Sequence, residues 1–570
     1  VTMRVVLDTA FCGERFAAAR AQGGRLHYIA VAPAVPAADT ITDAGLRAAW
    51  PLNVPGFHRV ILNEDVTLDL LAGALDAVLP QVIARVDAFH LHAGVTAPMA
   101  RTLARLAAPG AVLHVRAPGE ALVWALTAAG FACRIATREA DAGTDVDGQT
   151  APDIVAEYRG RKSLPAMKPQ RKQPALRRAV VIGAGVAGAS AAHRLCARGW
   201  QVTLIERHAQ PAQEASGNVA GIFMPLLSRD DNIPTRLSRA AYLFALREWR
   251  RMGGAGKAFD GAGCGVLQLA RDDKHARVQQ EVLAQWTYPA EYARWADAAE
   301  SSALIGAATP HGGWLFAQGG WARPASLCDA MLAVCGERLQ RVFCTEALSL
   351  QRVDGEWQVR GEDGALISQA PTAILANGAS AIKIEQAAQL PLSKLRGQVT
   401  HLPVDGAAAP PVLPLVVCRE AYVTPPSNGI VCAGATYDND DDPALRASSQ
   451  LENLARLAEI IPGDAVSALA QTAPLAGRVG FRCAAPDRLP LAGALPDYAS
   501  AGRLEFLPDV PRHEGLYCLL GYASRGLIWA PLMAELLVCQ LEDTPPPLEA
   551  ALVDALDAGR FLLKQRRREQ

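Results

Sequence analysis

Nine residues restrict the fold of this chain more than any others. They are Val180-Val181-Ile182-Gly183-Ala184-Gly185-Val186-Ala187-Gly188, an apolar run that leads into glycines spaced G-x-G-x-x-G. A strand is expected over Ala179–Ile182, an Ala-rich helix over Ala187–Arg198 and a second strand over Gln201–Glu206. Each glycine does something a larger residue could not. Gly183 permits the tight turn, Gly185 lets a pyrophosphate approach the backbone, and Gly188 lets helix and strand pack closely. The helix start then offers N–H groups and a partial positive charge to phosphate. Glu206, about 20 residues on, stands where a carboxylate binds ribose hydroxyls, with Arg207 beside it. A lone glycine motif is weak, but strand, turn, helix, strand and acid in order read as a dinucleotide site. The alternative is a glycine-rich helix start in an ordinary α/β domain.

The 570 residues are 50% hydrophobic, enough for roughly two to four domains with cores of their own. A net charge of -1, from 56 basic and 57 acidic side chains, sets up no global field for nucleic acid or anionic lipid, so such binding needs a local patch. The 12 cysteines include no C-x-x-C pair and no cluster at metal-ligand spacing. They read as reduced thiols in a cytosolic protein without a metal site. There is no apolar run of roughly 18 residues to span a membrane, and Val1–Ala10 lacks the apolar centre of a secretory signal. A soluble, cytoplasmic protein is expected.

The clearest break is residues 159–178, with eight basic residues, three prolines and no acid. Proline blocks a helix and like charges repel, so this is a linker. It is either a solvated connector or a contact for phosphate backbone. Before it, residues 1–158 read as β-α-β: strands over Arg4–Asp8, Leu26–Val31, Val86–Leu91 and Ala111–Val115, with helices over Met99–Ala107 and Glu120–Ala129. That order predicts a doubly wound parallel sheet. After it, residues 179–565 form the second α/β unit, with further strands over Glu356–Arg360 and Thr372–Ala376. Asp438–Pro443 is an acidic turn whose spacing does not suit a calcium loop, and it is assigned to solvent.

The motif does not separate FAD from NAD, but two other segments favour FAD. Ser216, Gly217 and Asn218 follow the acidic strand in a small polar loop suited to the flavin phosphate and ribityl chain. Near the C-terminus, Gly521, Ser524, Arg525, Gly526 and Leu527 precede a helical run, Trp529–Cys539. A helix start there faces the flavin O2 region and stabilises an anionic reduced ring.

AGVAGASAAHRL, ASGNVAG, CGVLQL, QGGW, LANG, RGQVTH, GFRCAAPDRLPLAG and GYASRGL occur in one order. In these segments, over about residues 180–565, the chain resembles the MnmC family of bifunctional tRNA 5-methylaminomethyl-2-thiouridine biosynthesis proteins. More distantly it resembles glycine oxidase, sarcosine oxidase and D-amino-acid oxidase. The resemblance implies a D-amino-acid-oxidase-type FAD-binding Rossmann fold with an inserted antiparallel-sheet substrate domain. It also implies removal of the carboxymethyl group from 5-carboxymethylaminomethyluridine at the tRNA wobble position, leaving the 5-aminomethyl group and glyoxylate. The substrate is then an N-substituted glycine: its α-carbon gives a hydride to the flavin, and water hydrolyses the imine. Arg482 is the candidate carboxylate clamp, at the place where glycine-oxidase relatives carry a substrate-binding arginine. A guanidinium can hold both carboxylate oxygens; the alternative is an ordinary ion pair. Arg525 and Arg396 are further candidates, a surface location being open for Arg396. Hydride loss from a neutral amine needs no strong base, and none is nominated.

The N-terminal half departs from this family, whose first module is an S-adenosylmethionine methyltransferase. The family's Glu-Ser-Gly-Phe-Gly-Thr-Gly loop stands here as Asp8-Thr9-Ala10-Phe11-Cys12-Gly13-Glu14, with all three loop glycines replaced by Ala10, Cys12 and Glu14. A carboxylate at Glu14 repels the methionine carboxylate, and side chains fill space that the backbone needs. The ribose-binding acid is Ala32 and the catalytic aspartate position is His92. The chain opens at the first strand, so a preceding stretch of the family is expected to be missing. A degenerate Rossmann-like methyltransferase domain follows from these losses, one that no longer binds S-adenosylmethionine. It is kept as a scaffold or, from the segment Trp50–Arg59, as a tRNA-docking module.

Competing readings are a free glycine, sarcosine or D-amino-acid oxidase, and a flavin-bearing tRNA-binding protein. The extra domain and the basic linker favour tRNA. The dense basic patches are the linker and the tail Lys564–Arg568. If these contact phosphates, tRNA affinity measured by filter binding falls steeply as salt rises. A flat salt profile removes them from the interface.

Overall fold

The computed structural model describes residues 3–136, 153–160, 176–405, 409–471, 475–500 and 502–569. Two units emerge. The first is residues 1–173 together with Cys539–Val553; the second is Pro174–Val538 with Asp554–Gln570.

In the first unit, Leu26–Ala32 and Val66–Ala72 are buried at every position, as strands covered on both faces must be. They lie in an eight-stranded sheet. Its centre is parallel, in the order Val66–Ala72, Leu26–Ala32, Arg4–Asp8, Val86–Leu91 and Ala107–Val115. The edges are not parallel: Gly56–Ile61 pairs antiparallel at one side, and Ile154–Tyr158 and Phe131–Ile135 at the other. The expected all-parallel sheet is therefore a mixed one. Asn63 explains one edge: its Oδ1 accepts from Asp65 N and Val66 N and so closes a tight hairpin, which antiparallel strands can use and parallel ones cannot.

A buried cluster ties the first unit together. The Arg59 guanidinium donates to both Asp69 oxygens (2.8 and 2.7 Å), to Cys539 Sγ (3.0 Å) and to the Pro545 carbonyl (2.7 Å). His27 Nε2 lies 2.7 Å from Asp69 on the other side. These bonds place Cys539–Val553 with the first unit, so the second domain is not the continuous 179–565 expected from the sequence. They also bury Arg59, and Phe57 and His58 with it. That end of the Trp50–Arg59 segment is therefore core, not a docking surface.

The second unit holds a six-stranded sheet in the order Leu339–Val342, Gln201–Ile205, Arg178–Ile182, Thr372–Leu375, Arg512–Leu520, Leu491–Pro496. Only the last pairing is antiparallel. The first strand begins at Arg178, the last residue of the expected linker, where Arg178 meets Glu356 and Arg177 donates to the Arg198 carbonyl. Residues 161–175 of that linker lie outside the described residues.

An eight-stranded sheet stands beside it, running from Arg294–Ala296 to Ala476–Ala484. It is antiparallel except between Val266–Leu269 and Val416–Cys418. The expected antiparallel sheet is thus mixed, because those two strands are far apart in sequence and need no hairpin. Helix Val186–Ala197 packs by small buried residues, Gly188, Ala189, Ala191 and Ala192. Its buried Arg194 pairs with Glu535 of helix Gly526–Glu542 at 2.6 Å, and Arg198 joins at 3.0 Å. Among the described residues no helix is long and apolar enough to cross a membrane.

Asp69 and Asp8 give the first unit its acid response. Burial raises both carboxyls, but charge and hydrogen bonds from Arg59 and His27 (Asp69) and from His92, Arg15 and Tyr28 (Asp8) outweigh it. Both fall from 3.8 to about 2. Their stabilisation is complete above the unfolded value and is lost as pH falls through the folded one, on the order of 2 kcal/mol each. Thermal melts of the full chain will show this unit's transition dropping between about pH 4 and about pH 2, with a shallower drop in Asp69→Asn.

Candidate functional site

The turn after Arg178–Ile182 opens a cavity of about 700 Å³ in the second unit. Gly183 has φ +99°, and a Cβ there would lie 2.7 Å from the Ala376 carbonyl and 2.8 Å from Asn377 Cα. A Cβ on Gly188 would fall 1.7 Å from the Gly183 carbonyl oxygen. Both positions therefore exclude any other residue. Helix Val186–Ala197 is capped by Gly185, which has no side chain to occupy the first N–H groups; Ser216 Oγ accepts from Val186 N at 3.2 Å. The rest of that first turn is offered to an anion in the cavity.

Glu206 follows its strand and sits at the cavity wall. One carboxylate oxygen accepts from Ala184 N (2.8 Å), the other from His208 N (3.0 Å). Each oxygen keeps a lone pair for a ribose hydroxyl. Arg207 lines the same wall, held by Glu214 and 3.6 Å from Glu346. Asn218, Gly521, Ser524, Gly526 and Leu527 line it too, whereas Gly188 and Gly217 do not. Gly188 acts beneath the wall, and Gly217 lies under the Arg478 guanidinium.

The second helix start, at Gly526, meets the first: a Cβ on Gly526 would stand 3.1 Å from Val186 Cγ2. Two helix N-termini so reach one cavity. Asn377 Oδ1, on the same wall, is buried with no hydrogen-bond partner among the described residues. A cavity with two helix starts, a side-chain-free turn and an orphaned amide fits a dinucleotide, and with it FAD.

Arg482 reaches the cavity from strand Ala476–Ala484. Its Nη1 donates to the Thr436 carbonyl at 3.3 Å, and its guanidinium lies 4.3 Å from the Tyr437 ring centroid. Arg525 lines the cavity with no hydrogen bond or ion pair to its guanidinium among the described residues. Burial, only partly offset by Tyr437 and Cys418, pulls its pKa down. A partly exposed cation with no counter-charge on the chain is open to an anion in the cavity.

Arg396 is not part of this site. Fully buried, it donates to the Asp442 carbonyl (2.8 Å), the Ala444 carbonyl (2.5 Å) and Asp438 (3.1 Å). The acidic turn 438–443 is solvent-exposed at most of its positions, as expected, and Arg396 and Arg446 pair with its carboxylates.

Two contributors carry no signal in the local sequence. Arg478 donates to the Gln213 carbonyl (2.8 Å) and to Asn218 Oδ1 (3.3 Å), shaping the 213–218 loop from a strand some 260 residues away. No local pattern could signal that. Asn377 lies in the LANG segment, but only the approach of Gly183 shows its place.

The FAD dependent oxidoreductase family (DAO) matches residues 178–540. The chain is 41% identical over 562 residues to the tRNA 5-methylaminomethyl-2-thiouridine biosynthesis bifunctional protein MnmC of Burkholderia pseudomallei (strain 668), covering 96% of this chain and 83% of that protein. The chain belongs to the MnmC family. The MnmC protein of Burkholderia thailandensis is equally similar, 41% over 559 residues, 95% of this chain and 83% of that one. Among solved structures, glycine oxidase from Geobacillus kaustophilus superposes with TM-score 0.55 at 19% identity over 67% of this chain and 99% of its own, a likeness of fold. Iminodiacetate oxidase from Chelativorans sp. BNC1 gives 0.51 at 26% identity over 65% and 96%. The chain is thus an FAD-dependent oxidoreductase of the MnmC family with a mixed α/β fold.

At the end of strand Arg4–Asp8 in the first unit, the terminal carboxylate is bonded within the chain. Asp8, fully buried, accepts from Arg15 Nε (2.9 Å), Tyr28 Oη (2.7 Å) and Ala10 N (3.0 Å), with His92 Nε2 at 3.2 Å. Arg15 Nη2 also donates to the Ala10 carbonyl at 2.5 Å.

In the basic tail, Arg566 donates to the Tyr498 and Ser500 carbonyls and Arg567 to that of Glu505. Part of that patch therefore serves the fold. Among the described residues no His, Cys, Asp and Glu group is arranged to hold a metal.

Gly188→Ala should purify without flavin, because its Cβ cannot share space with the Gly183 carbonyl. Flavin absorbance per protein, compared with wild type, measures this; retention of the wild-type ratio would count against the assigned cradle.

Proposed function

We propose that this chain oxidatively removes the carboxymethyl group from 5-carboxymethylaminomethyl-(2-thio)uridine at the tRNA wobble position, giving the 5-aminomethyl nucleoside and glyoxylate. Bound FAD supplies the two-electron oxidation of the carbon between amine and carboxylate. The observation that carries the reading is the pair of guanidiniums, Arg482 and Arg525, in the cavity that the glycine turn opens. Arg482 spends one N–H on Thr436 and keeps the rest of its fork for a carboxylate. Arg525, without a partner among the described residues, adds a second positive charge. Fixing the carboxylate leaves the neighbouring C–H carbon little freedom. Both cations also favour a neutral amine, the form that can release a hydride. Water then hydrolyses the imine. The tRNA substrate comes from the names of the MnmC relatives and is our assignment for this chain.

We further propose that the first unit does not transfer methyl groups. The Arg15–Asp8 pair with Tyr28 and His92 uses the strand end that a donor's ribose and methionine would need. Calorimetry with S-adenosylmethionine should give no heat of binding; micromolar affinity would restore the methyltransferase.

The test of the main reading incubates flavin-loaded protein with tRNA from cells lacking the activity and weighs the nucleosides. Loss of the carboxymethyl mass with release of glyoxylate is expected. Arg482→Ala should lower kcat/KM about 100-fold or more. Turnover of glycine with no change in tRNA mass would instead mark a free amino-acid oxidase.

A further inference from the structure

Tyr437 stands at the cavity, 58% exposed, with the Arg482 guanidinium 4.3 Å from its ring centroid. An exposed aromatic ring at a cavity keeps apolar surface in water, so a flat partner that covers it is favoured. Arg482 accounts for one side. A guanidinium presents a flat face and a donor edge, so Arg482 can stack on the tyrosine with its face and bind a carboxylate with its edge.

From this geometry we infer that Tyr437 is the platform on which the target pyrimidine base stacks, making it the residue that selects a nucleoside over a free N-alkylglycine. The inference rests on the tRNA reading proposed above and deepens it. In the proposed substrate the pyrimidine C5 and the carboxylate carbon are four bonds apart, about 5 Å when extended. A base whose carboxylate rests on Arg482 must therefore lie within roughly 9 Å of that guanidinium, and Tyr437, more exposed than Tyr422, Phe481 and Tyr522 of the same cavity, is the open ring within that reach. Stacking is the means by which proteins hold an unpaired base splayed from its strand, since every base has a π-face. A small amino acid has no such face and leaves the ring in water.

The experiment uses flavin-loaded full chain and tRNA bearing the carboxymethylaminomethyl group, with kcat and KM measured separately. Tyr437→Ala should raise KM about tenfold with kcat reduced less than threefold, because a base platform holds substrate and transition state alike. Tyr437→Phe keeps the ring and should return KM to within about threefold of wild type. A KM change below threefold in Tyr437→Ala overturns the inference. So does a kcat loss exceeding the KM rise, which would mean that the ring only props Arg482. If wild type itself removes no carboxymethyl mass, the tRNA reading falls and the platform with it. Normal wild-type turnover with an unaffected alanine variant removes the platform alone.

Discussion

The second unit depends on one contact that tolerates no side chain. Helix Val186–Ala197 can lie against the turn at Gly183 only because Gly188 brings no Cβ to the Gly183 carbonyl, 1.7 Å from where that carbon would be. The contact aims the helix start into the cavity. The buried Arg194–Glu535 pair then fixes the same helix to Gly526–Glu542, so the second helix start is aimed with it. Losing either partner would strand a charge in the core, a far larger penalty than the pair's own net contribution. Cofactor geometry is thereby set by packing, before any ligand is bound.

Charge is treated in opposite ways by the two units. In the first, Asp8 at the strand end accepts from Arg15, Tyr28 and Ala10 of the same unit. In the second, Arg525 has no intramolecular partner among the described residues, and Arg482 is engaged at one N–H and one face. A satisfied cluster contributes to the fold, whereas a cation without a partner on the chain is open to a bound anion. Arg396 shows how little residue type alone decides: it belongs to the same strand region, yet its donors are spent on Asp438 and the loop carbonyls.

Local pattern made much of this legible. Glu120–Ala129, Val86–Leu91 and Glu356–Arg360 fall where periodicity places them, and the glycine turn follows from spacing. What escaped detection was non-local. The antiparallel edges of the first sheet depend on which strands become neighbours, not on the strands' own composition. Arg478 acts on a loop some 260 residues away. Arg59 reads as the end of a candidate docking segment, and only its bonds to Asp69 and Pro545 reveal a core residue. The acidic turn is as exposed as its composition suggests, but its pairing with Arg396, 42 residues before it, is not legible locally.

That Arg59 cluster bears on how the molecule is made. Asp69 is ten residues away and emerges from the ribosome almost together with Arg59, but Pro545 follows 486 residues later. Synthesis is vectorial and domains usually close in the order they appear. Here the first unit must keep a guanidinium donor without its final acceptor until the segment around Pro545 has been made. Its maturation therefore waits for that later segment, and nascent chains halted before residue 545 carry an unfinished first unit for chaperones to guard.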